Sequence, residues 1–205
     1  MCMSPPRLTD RKRDAILKAA AAEFRANGFE ATSMDRIASV AEVSKRTVYN
    51  HFPSKEELFA ETIVGLFQAS AELLELPYRP DIGLREQLSE LLRLKLRALE
   101  DQDFLDLARV AISEAIHAPE RALPVFARLN EREEGVTSWI RAAQADGKLK
   151  PGDPVFAATM LQGQVKAFAF WPQVAMGAAP LGPEQQEPVV EAAVSMFLAY
   201  FGAAQ

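Results

Sequence analysis

The fold is decided by residues 32–52, which read TSMDRIASVAEVSKRTVYNHF. A first short helix is predicted to begin at Thr32 or Ser33 and a second at Ser44, because hydroxyl side chains cap the free N–H groups of a helix start. Apolar residues then recur at helical spacing, at Met34, Ile37, Ala38, Val48 and Phe52. Two short helices joined by a tight turn predict a helix-turn-helix.

The outer face of the second helix carries polar side chains. If Val48 and Phe52 face the core, cationic, phenolic and amide groups project outward, from Lys45, Arg46, Tyr49 and Asn50. Such groups suit phosphate oxygens and the base edges of a major groove. They also suit the solvated surface of a helical bundle, so the pattern alone leaves both interpretations open.

The segments on either side extend the helical pattern. Apolar residues at helical spacing precede the decisive stretch, at Ile16, Ala20 and Phe24. Asn27-Gly28 is expected to stop this helix, because glycine favours the backbone conformation that ends helices. Ser54 and Glu57 have the spacing of a capping box, and they open a predicted longer helix over 54–76.

The rest of the chain is also predicted to be helical, and period-2 alternation typical of strands is absent. Further helices are expected near 84–100, 103–117, 119–146, 154–177 and 184–202. The fold class is therefore all-α, with about nine helices. We predict an N-terminal domain over 1–55 that contains three helices, a linking helix over 54–76, and a second helical domain over 77–205.

Charge is unevenly distributed along the chain. The 205 residues carry a formal net charge of −5, which argues mildly against a nucleic-acid partner. Residues 1–55 hold ten Lys and Arg against six Asp and Glu, a local charge of +4. A basic N-terminal segment on an acidic body is expected if only one end meets phosphate.

Signals for catalysis, metal binding and membrane insertion are weak. The single cysteine, Cys2, excludes a disulfide framework, and His117 lacks a neighbour at metal-ligand spacing. Phosphate-cradling glycine motifs and nucleophile elbows are also missing. We therefore expect no catalytic residue, no metal, no cofactor, no membrane contact and a cytoplasmic location. A helical protein-interaction module or, more weakly, an enzyme of unknown class stays an alternative.

The run from Ala31 to Phe59 resembles the N-terminal domain of the TetR/AcrR family of transcriptional regulators. The resemblance is strongest over TVYNHF at 47–52 and SKEELF at 54–59, and the earlier helix with its stop at Gly28-Phe29 agrees with it. Phe170-Trp171-Pro172 and the residues at 197–201 resemble the AefR-type subgroup. The resemblance implies a DNA-binding regulator with an effector-binding second domain.

The resemblance also assigns candidate DNA contacts. Lys45, Arg46, Thr47 and Asn50 would approach bases or the flanking backbone, and Tyr49 and His51 would contact phosphates. The remaining candidates are hydroxyl residues and a lysine near helix starts, namely Thr32, Ser33, Ser44 and Lys55. The family often has glycine where this chain has Glu42, so we expect a slightly different turn here rather than a left-handed residue.

The second domain is expected to bind a small, apolar effector. Aromatic residues that would wall the cavity are Phe104, Phe126, Trp139, Phe170 and Trp171, although most also fit an ordinary core. Gln162 and Lys166 could anchor a ligand or simply reach the surface.

The same resemblance implies a homodimer that acts as a repressor on a palindromic operator. The helices over 154–177 and 184–202 are expected to form the dimer interface. Small and apolar residues on them motivate this expectation, namely Ala157, Ala158, Leu161, Ala192, Ala193, Phe197 and Leu198.

Overall fold

A computed structural model describes residues 8–72, 76–130 and 135–203. Within these ranges the chain forms eleven α-helices and, apart from one isolated bridge between Leu149 and Gly202, no β-structure. The helices are α1 (Leu8–Ala31), α2 (Met34–Val40), α3 (Lys45–His51), α4 (Lys55–Glu72), α5 (Leu84–Ala98), α6 (Gln102–His117), α7 (Pro119–Asn130), α8 (Gly135–Ala145), α9 (Pro154–Ala169), α10 (Trp171–Met176) and α11 (Pro183–Phe201). The predicted all-α class is confirmed.

The chain divides into two compact units that are each built from two segments. Among the described residues, the N-terminal unit contains 8–67 and 106–130, and the C-terminal unit contains 68–72, 76–105 and 135–203. This division differs from the predicted domain boundary, because α6 from Asp106 onward and all of α7 pack with the N-terminal helices. The functional division into domains 1–55 and 77–205 stays a prediction.

The core of the N-terminal unit confirms the predicted apolar faces. Ile16, Ala20 and Phe24 on α1 are fully buried, as are the inward residues of α2 and α3. The rings of Phe24 and Phe59 meet edge to face with centroids 5.0 Å apart. From the second segment, α6 and α7 add apolar side chains to the same core, namely Leu107, Ala111 and Val125.

Gly28 interrupts α1 where the sequence predicts the helix to stop. Its backbone lies at φ 74° and ψ 175°, a conformation that side chains with a Cβ rarely adopt. The chain therefore changes direction before Phe29, whose ring is stacked on that of Phe24 at 5.9 Å. This junction brings the end of α1 to the beginning of α2.

Two predicted helices are wrong in extent. The helix expected over 154–177 is broken at Phe170 into α9 and α10, because Pro172 lacks the N–H that would continue the helical ladder. The helix expected over 119–146 is described as α7 and α8, on either side of 131–134, which lie outside the described residues. These two differences explain why eleven helices are described instead of about nine.

The C-terminal unit packs α11 against α5 and α9, and α8 against α9. Its most buried side chains include Leu92, Ile140, Leu161 and Phe197. None of the helices that the structure describes is long and apolar enough to cross a membrane. Cys2, the stretch 73–75 of the predicted linking helix and the side chain of Phe126 lie outside the described residues.

Candidate nucleic-acid interface

The starts of α2 and α3 are capped by the two serines that the sequence predicts. The Ser33 hydroxyl accepts a hydrogen bond from the Arg36 N–H at 3.3 Å. The Ser44 hydroxyl accepts one from the Thr47 N–H at 3.1 Å and lies 2.8 Å from the Thr47 hydroxyl. Because these bonds satisfy N–H groups at each helix start, both helices begin at defined residues.

The turn between α2 and α3 has a left-handed residue, so the expected alternative turn is wrong. Glu42 has a φ of 54°. Its N–H donates to the Ser39 carbonyl at 3.2 Å, and the next N–H, of Val43, donates to the Ala38 carbonyl at 3.0 Å. These two bonds form a Schellman motif, which requires the left-handed residue that is usually glycine. The turn geometry is thus retained at a cost of roughly 1–2 kcal/mol for a residue with a Cβ.

The two faces of α3 differ sharply in exposure. Val48 is completely buried, and Phe52, which directly follows the helix, is almost completely buried. Two further residues, Thr47 and His51, are half-buried at the edges. The exposed face presents Lys45, Arg46, Tyr49 and Asn50, as predicted from their spacing. The Tyr49 side chain keeps 43% of its surface exposed although it is large and partly apolar.

An ion pair connects α2 to the outer face of α3. The Lys45 ammonium lies 2.7 Å from one carboxylate oxygen of Asp35 and 3.0 Å from the other. The hydrogen bond to Asp35, together with its negative charge, raises the pKa of Lys45 above its ordinary value. Lys45 is therefore a fully charged donor that is already oriented by a neighbouring helix.

Thr32 does not occupy the exposed position that the predicted phosphate contact requires. Its side chain is buried, and its hydroxyl donates towards the carbonyls of Gly28 at 2.7 Å and Glu23 at 3.1 Å. The hydroxyl is thus committed to the junction between α1 and α2, where it satisfies carbonyls left open by the break at Gly28. This corrects its role from phosphate ligand to a residue that holds α2 in place.

Lys55 has a similar structural role in the DNA-free chain, and its contact with phosphate stays a prediction. Its ammonium donates to the carbonyls of Phe29 at 2.8 Å, Glu30 at 3.2 Å and Thr32 at 3.1 Å. It also lies 4.3 Å from the centre of the Phe29 ring, within range of a cation–π contact. Lys55 therefore joins the start of α4 to the end of α1, while Ser54 caps α4 by accepting from the Glu57 N–H at 3.1 Å.

Sequence reasoning missed Arg36, an exposed cation within the helix-turn-helix. Its guanidinium pairs with the buried carboxylate of Glu23 at 2.7 Å, while most of its side chain stays exposed. The pair joins α2 to α1 and keeps a positive charge at the surface of α2. The sequence does contain a signal for this residue, because Arg36 precedes the inward-facing Ile37 on a short amphipathic helix.

Ion pairs also join α7 to the helix-turn-helix unit. Glu61 on α4 pairs with Arg13 on α1 and Arg128 on α7. Burial would raise the pKa of the Glu61 carboxyl, but hydrogen bonds from Arg128 and Arg13 together outweigh burial and lower it. Arg121 pairs with Glu30 at the end of α1 at 2.9 Å. Partners from distant parts of the chain made these pairs invisible in the sequence.

The predicted effector residues lie in different environments. Trp139 is buried, and its indole N–H donates to the Gln87 side-chain oxygen at 3.1 Å. It lines a cavity of about 130 Å³ that Leu76, Pro77 and Arg79 also border. Gln162 is buried too, and its side-chain oxygen accepts a hydrogen bond from Lys95.

The other predicted effector residues do not join Trp139 at that cavity in the described part of the chain. Phe104 is buried near the start of α6, whereas Lys166 and Phe170 are half-buried. Trp171 is 49% exposed, and its ring meets that of Phe170 edge to face at 5.1 Å. A single preformed cavity that unites all the predicted residues is therefore not seen among the described residues.

The exposed surface of α9 and α11 is unusually apolar. Large apolar side chains with about half or more of their surface exposed are Val155, Phe156, Met160, Phe168, Met196 and Tyr200. Most of the residues that motivated the predicted dimer interface point the other way, into the unit, namely Ala157, Ala158, Leu161, Ala193 and Phe197. The same two helices thus offer an apolar surface, but through different residues.

These features define a DNA-binding class of protein: a helix-turn-helix with a polar outer face, followed by a helical second unit. Residues 16–62 match the family described as "Bacterial regulatory proteins, tetR family", and residues 86–203 match "AefR-like transcriptional repressor, C-terminal domain". The chain belongs to the TetR family of transcriptional regulators, and the AefR-type resemblance is confirmed.

Relatives of known structure and name agree with this assignment. A TetR-family regulator from Pseudomonas syringae pv. tomato str. DC3000 is 56% identical, with a TM-score of 0.79 over 96% of this chain and 100% of that one. The regulator RutR of Escherichia coli (strain K12) is 30% identical over 82% of this chain and 79% of its own length. A protein titled "Flavonoid-responsive Regulator FrrA" is 30% identical, with a TM-score of 0.76 over 96% of this chain and 100% of that one.

The described residues contain no group of three or more His, Cys, Asp and Glu side chains that is arranged to hold a metal ion.

Proposed function

We propose that this regulator is a repressor that binds a palindromic operator as a homodimer and leaves it when a small apolar effector binds. The observation that carries the DNA-binding role is the outer face of α3. Its exposed cations, phenol and amide lie opposite a fully buried apolar face, so they can enter a major groove while the core stays packed. A regulator of this kind acts on the chromosome, which places it in the cytoplasm.

Each exposed residue of α3 has a role suited to its chemistry. Arg46 carries two parallel N–H donors and Asn50 carries one donor beside one acceptor, and both arrangements match base edges. Lys45 adds a point charge. Tyr49 and His51 contact phosphates, as do the exposed hydroxyl groups of Ser33 and Ser44 at the starts of α2 and α3. Thr32 acts indirectly, because its hydroxyl holds the junction of α1 and α2. Lys55 joins α4 to α1 and stays a candidate for a phosphate contact.

Dimerisation is supported by the apolar outer surface of α9 and α11. Phe156, Met160 and Phe168 on α9 would lose their contact with water against a second copy of the chain. Exposed apolar patches of this kind often mark sites of interaction with another protein. With a two-fold axis at this surface, two copies of α3 would read the two halves of a palindrome.

The effector is proposed to enter the C-terminal unit beside Trp139. The cavity there has an aromatic and apolar wall and includes Arg79 and Glu90 as polar groups. At about 130 Å³ it must widen to admit a drug-sized molecule. Binding would therefore favour a different conformation of the unit, and this differential affinity is what releases DNA. The flavonoid response named for FrrA makes flat aromatic compounds the first class to screen.

The DNA-binding role is tested by selecting duplexes from a random pool with the full-length protein. A palindromic consensus is expected, and enrichment of no sequence would contradict the proposal in favour of a protein-interaction module. Arg46→Ala and Tyr49→Phe should weaken binding to the selected duplex by about tenfold and a few-fold, respectively. Arg85→Ala removes an equal charge from α5 in the C-terminal unit and is the matched control.

The effector site is tested by fluorescence, because the chain has two tryptophans. Trp171→Phe leaves Trp139 as the single reporter. A flat aromatic ligand that binds beside it should quench its emission in proportion to the loss of DNA binding. Release of DNA without any change in Trp139 emission would place the effector elsewhere.

A further inference from the structure

The Lys45–Asp35 pair distinguishes one cation on the outer face of α3 from its neighbours. Lys45 contacts both oxygens of Asp35, at 2.7 and 3.0 Å. Within the described part of the chain, the side chains of Arg46 and Asn50 on the same face have no such carboxylate partner. One of the two basic side chains on this face, that of Lys45, is therefore held by α2 before any duplex arrives.

We propose that Asp35 is a specificity-determining residue that withholds Lys45 from the phosphates of non-operator DNA. This inference rests on the proposed placement of α3 in the major groove. Non-specific binding depends almost entirely on cations that release counterions from phosphates. A cation that is already paired with a carboxylate contributes less to that binding, and the carboxylate itself repels any nearby phosphate.

The same pair leaves Lys45 useful at the operator. An ammonium group has three N–H donors, and Asp35 orients it from one side only. An N–H thus stays open for an acceptor on a base edge, while the direction of the group is set by the neighbouring helix. The pair lowers affinity for DNA in general more than it lowers affinity for the operator.

Both side chains are more than half exposed, so the pair is weak enough for DNA to reorganise. The pair affects DNA binding because it lies at the outer face of α3, and it contributes little to the stability of the fold. Replacing Asp35 by asparagine keeps the size of the side chain and one acceptor oxygen, removes the charge and exchanges the second oxygen for an amide donor. Loss of folding is therefore not expected in Asp35→Asn, and circular dichroism checks this directly.

The test compares the selected operator with a scrambled duplex of the same length by fluorescence anisotropy between 50 and 200 mM salt. Asp35→Asn should bind the scrambled duplex about threefold more tightly, with a salt slope steeper by about 0.9. Operator binding should gain less, so the ratio of the two affinities falls. Glu191→Gln makes the same change of charge beside Arg85 in the C-terminal unit and should leave the ratio unchanged.

The Lys45→Gln variant separates failure of this inference from failure of the proposed function. If Lys45→Gln weakens binding and abolishes the effect of Asp35→Asn, the inference is supported. If Lys45→Gln weakens binding but Asp35→Asn leaves the scrambled affinity and salt slope unchanged, the inference is wrong and the DNA-reading role of α3 stands. If Asp35→Asn weakens operator binding alone, Asp35 reads a base itself, which also overturns the inference. If neither variant changes binding, the proposal that the outer face of α3 binds DNA is wrong.

Discussion

The outer face of α3 and the outer faces of α9 and α11 expose opposite kinds of side chain to water. The first exposes polar groups, and the others expose large apolar groups. On α3, buried Val48 is backed by exposed charged, phenolic and amide groups. On α9, buried Leu161 is backed by exposed Phe156 and Met160. Polar groups keep their hydration until a polyanion replaces the water, whereas apolar groups gain free energy only when another apolar surface covers them. The comparison supports the partners proposed above, which are DNA for the first surface and a second copy of the chain for the second.

The largest expected effect comes from breaking the core that supports the polar face. Phe24→Ala removes a fully buried ring from the aromatic cluster with Phe29 and Phe59. We expect the free energy of unfolding, measured in urea, to fall by about 3–5 kcal/mol, because a cavity replaces the ring. Phe168→Ala removes the same side chain from an exposed position, 57% accessible, and should change the stability of the protomer by less than about 0.5 kcal/mol. Similar costs for both variants would contradict the assignment of Phe168 to the surface.

A charge on the apolar face should break the proposed dimer. The double variant Phe156→Glu with Met160→Glu is expected to weaken self-association by about 3 kcal/mol, or roughly two orders of magnitude in Kd, because burying the carboxylates costs free energy. Sedimentation equilibrium measures the shift. Ile116→Glu alters a still more exposed apolar residue on α6 and is the control. A dimer that survives the double variant and dissociates in the control would move the interface to the N-terminal unit.

The ion pairs of Glu61 with Arg13 and Arg128 should stabilise the N-terminal unit less at low pH than at neutral pH. The pKa of Glu61 is lowered in the folded protein, so its contribution is present above the pKa of the unfolded chain and is lost as the pH falls through the folded value. Glu61→Gln should destabilise the protein by on the order of 1 kcal/mol at pH 7 and by less near pH 3. Urea unfolding at both pH values, with Glu191→Gln as an exposed control, checks this. A difference that grows towards pH 3 would contradict the direction of the pKa shift.

The smallest expected effect concerns the turn before α3. Glu42→Gly should stabilise the protein by about 0.5–1 kcal/mol, because relief of the left-handed strain exceeds the entropy that glycine adds to the unfolded chain. Thermal unfolding detects a gain of this size. Glu56→Gly replaces an exposed glutamate within right-handed α4 and should have the opposite sign. A loss of stability in Glu42→Gly would mean that the Glu42 side chain makes a favourable contact.

Local patterns predicted most of the helix-turn-helix. The serine caps, the buried Val48 and the outward Lys45, Arg46, Tyr49 and Asn50 all depend on neighbours within four residues, so spacing was sufficient. The break at Phe170 depends on one proline, Pro172, whose effect the helical period of 154–177 does not show. The effector residues were the least predictable, because a cavity is formed by side chains from several helices, and aromatic residues alone do not show whether Trp139 and Trp171 face the same space.

The sequence by itself determined the all-α class, the positions of α1 to α4 and the polar face of α3, since helical period, capping and turn residues act over short distances. Only the tertiary structure decided that Thr32 and Lys55 hold a junction, that Glu61 meets Arg13 and Arg128, and that α7 belongs with the N-terminal helices. These features depend on residues far apart in the chain, whose meeting is set by the packing of whole helices rather than by any local pattern.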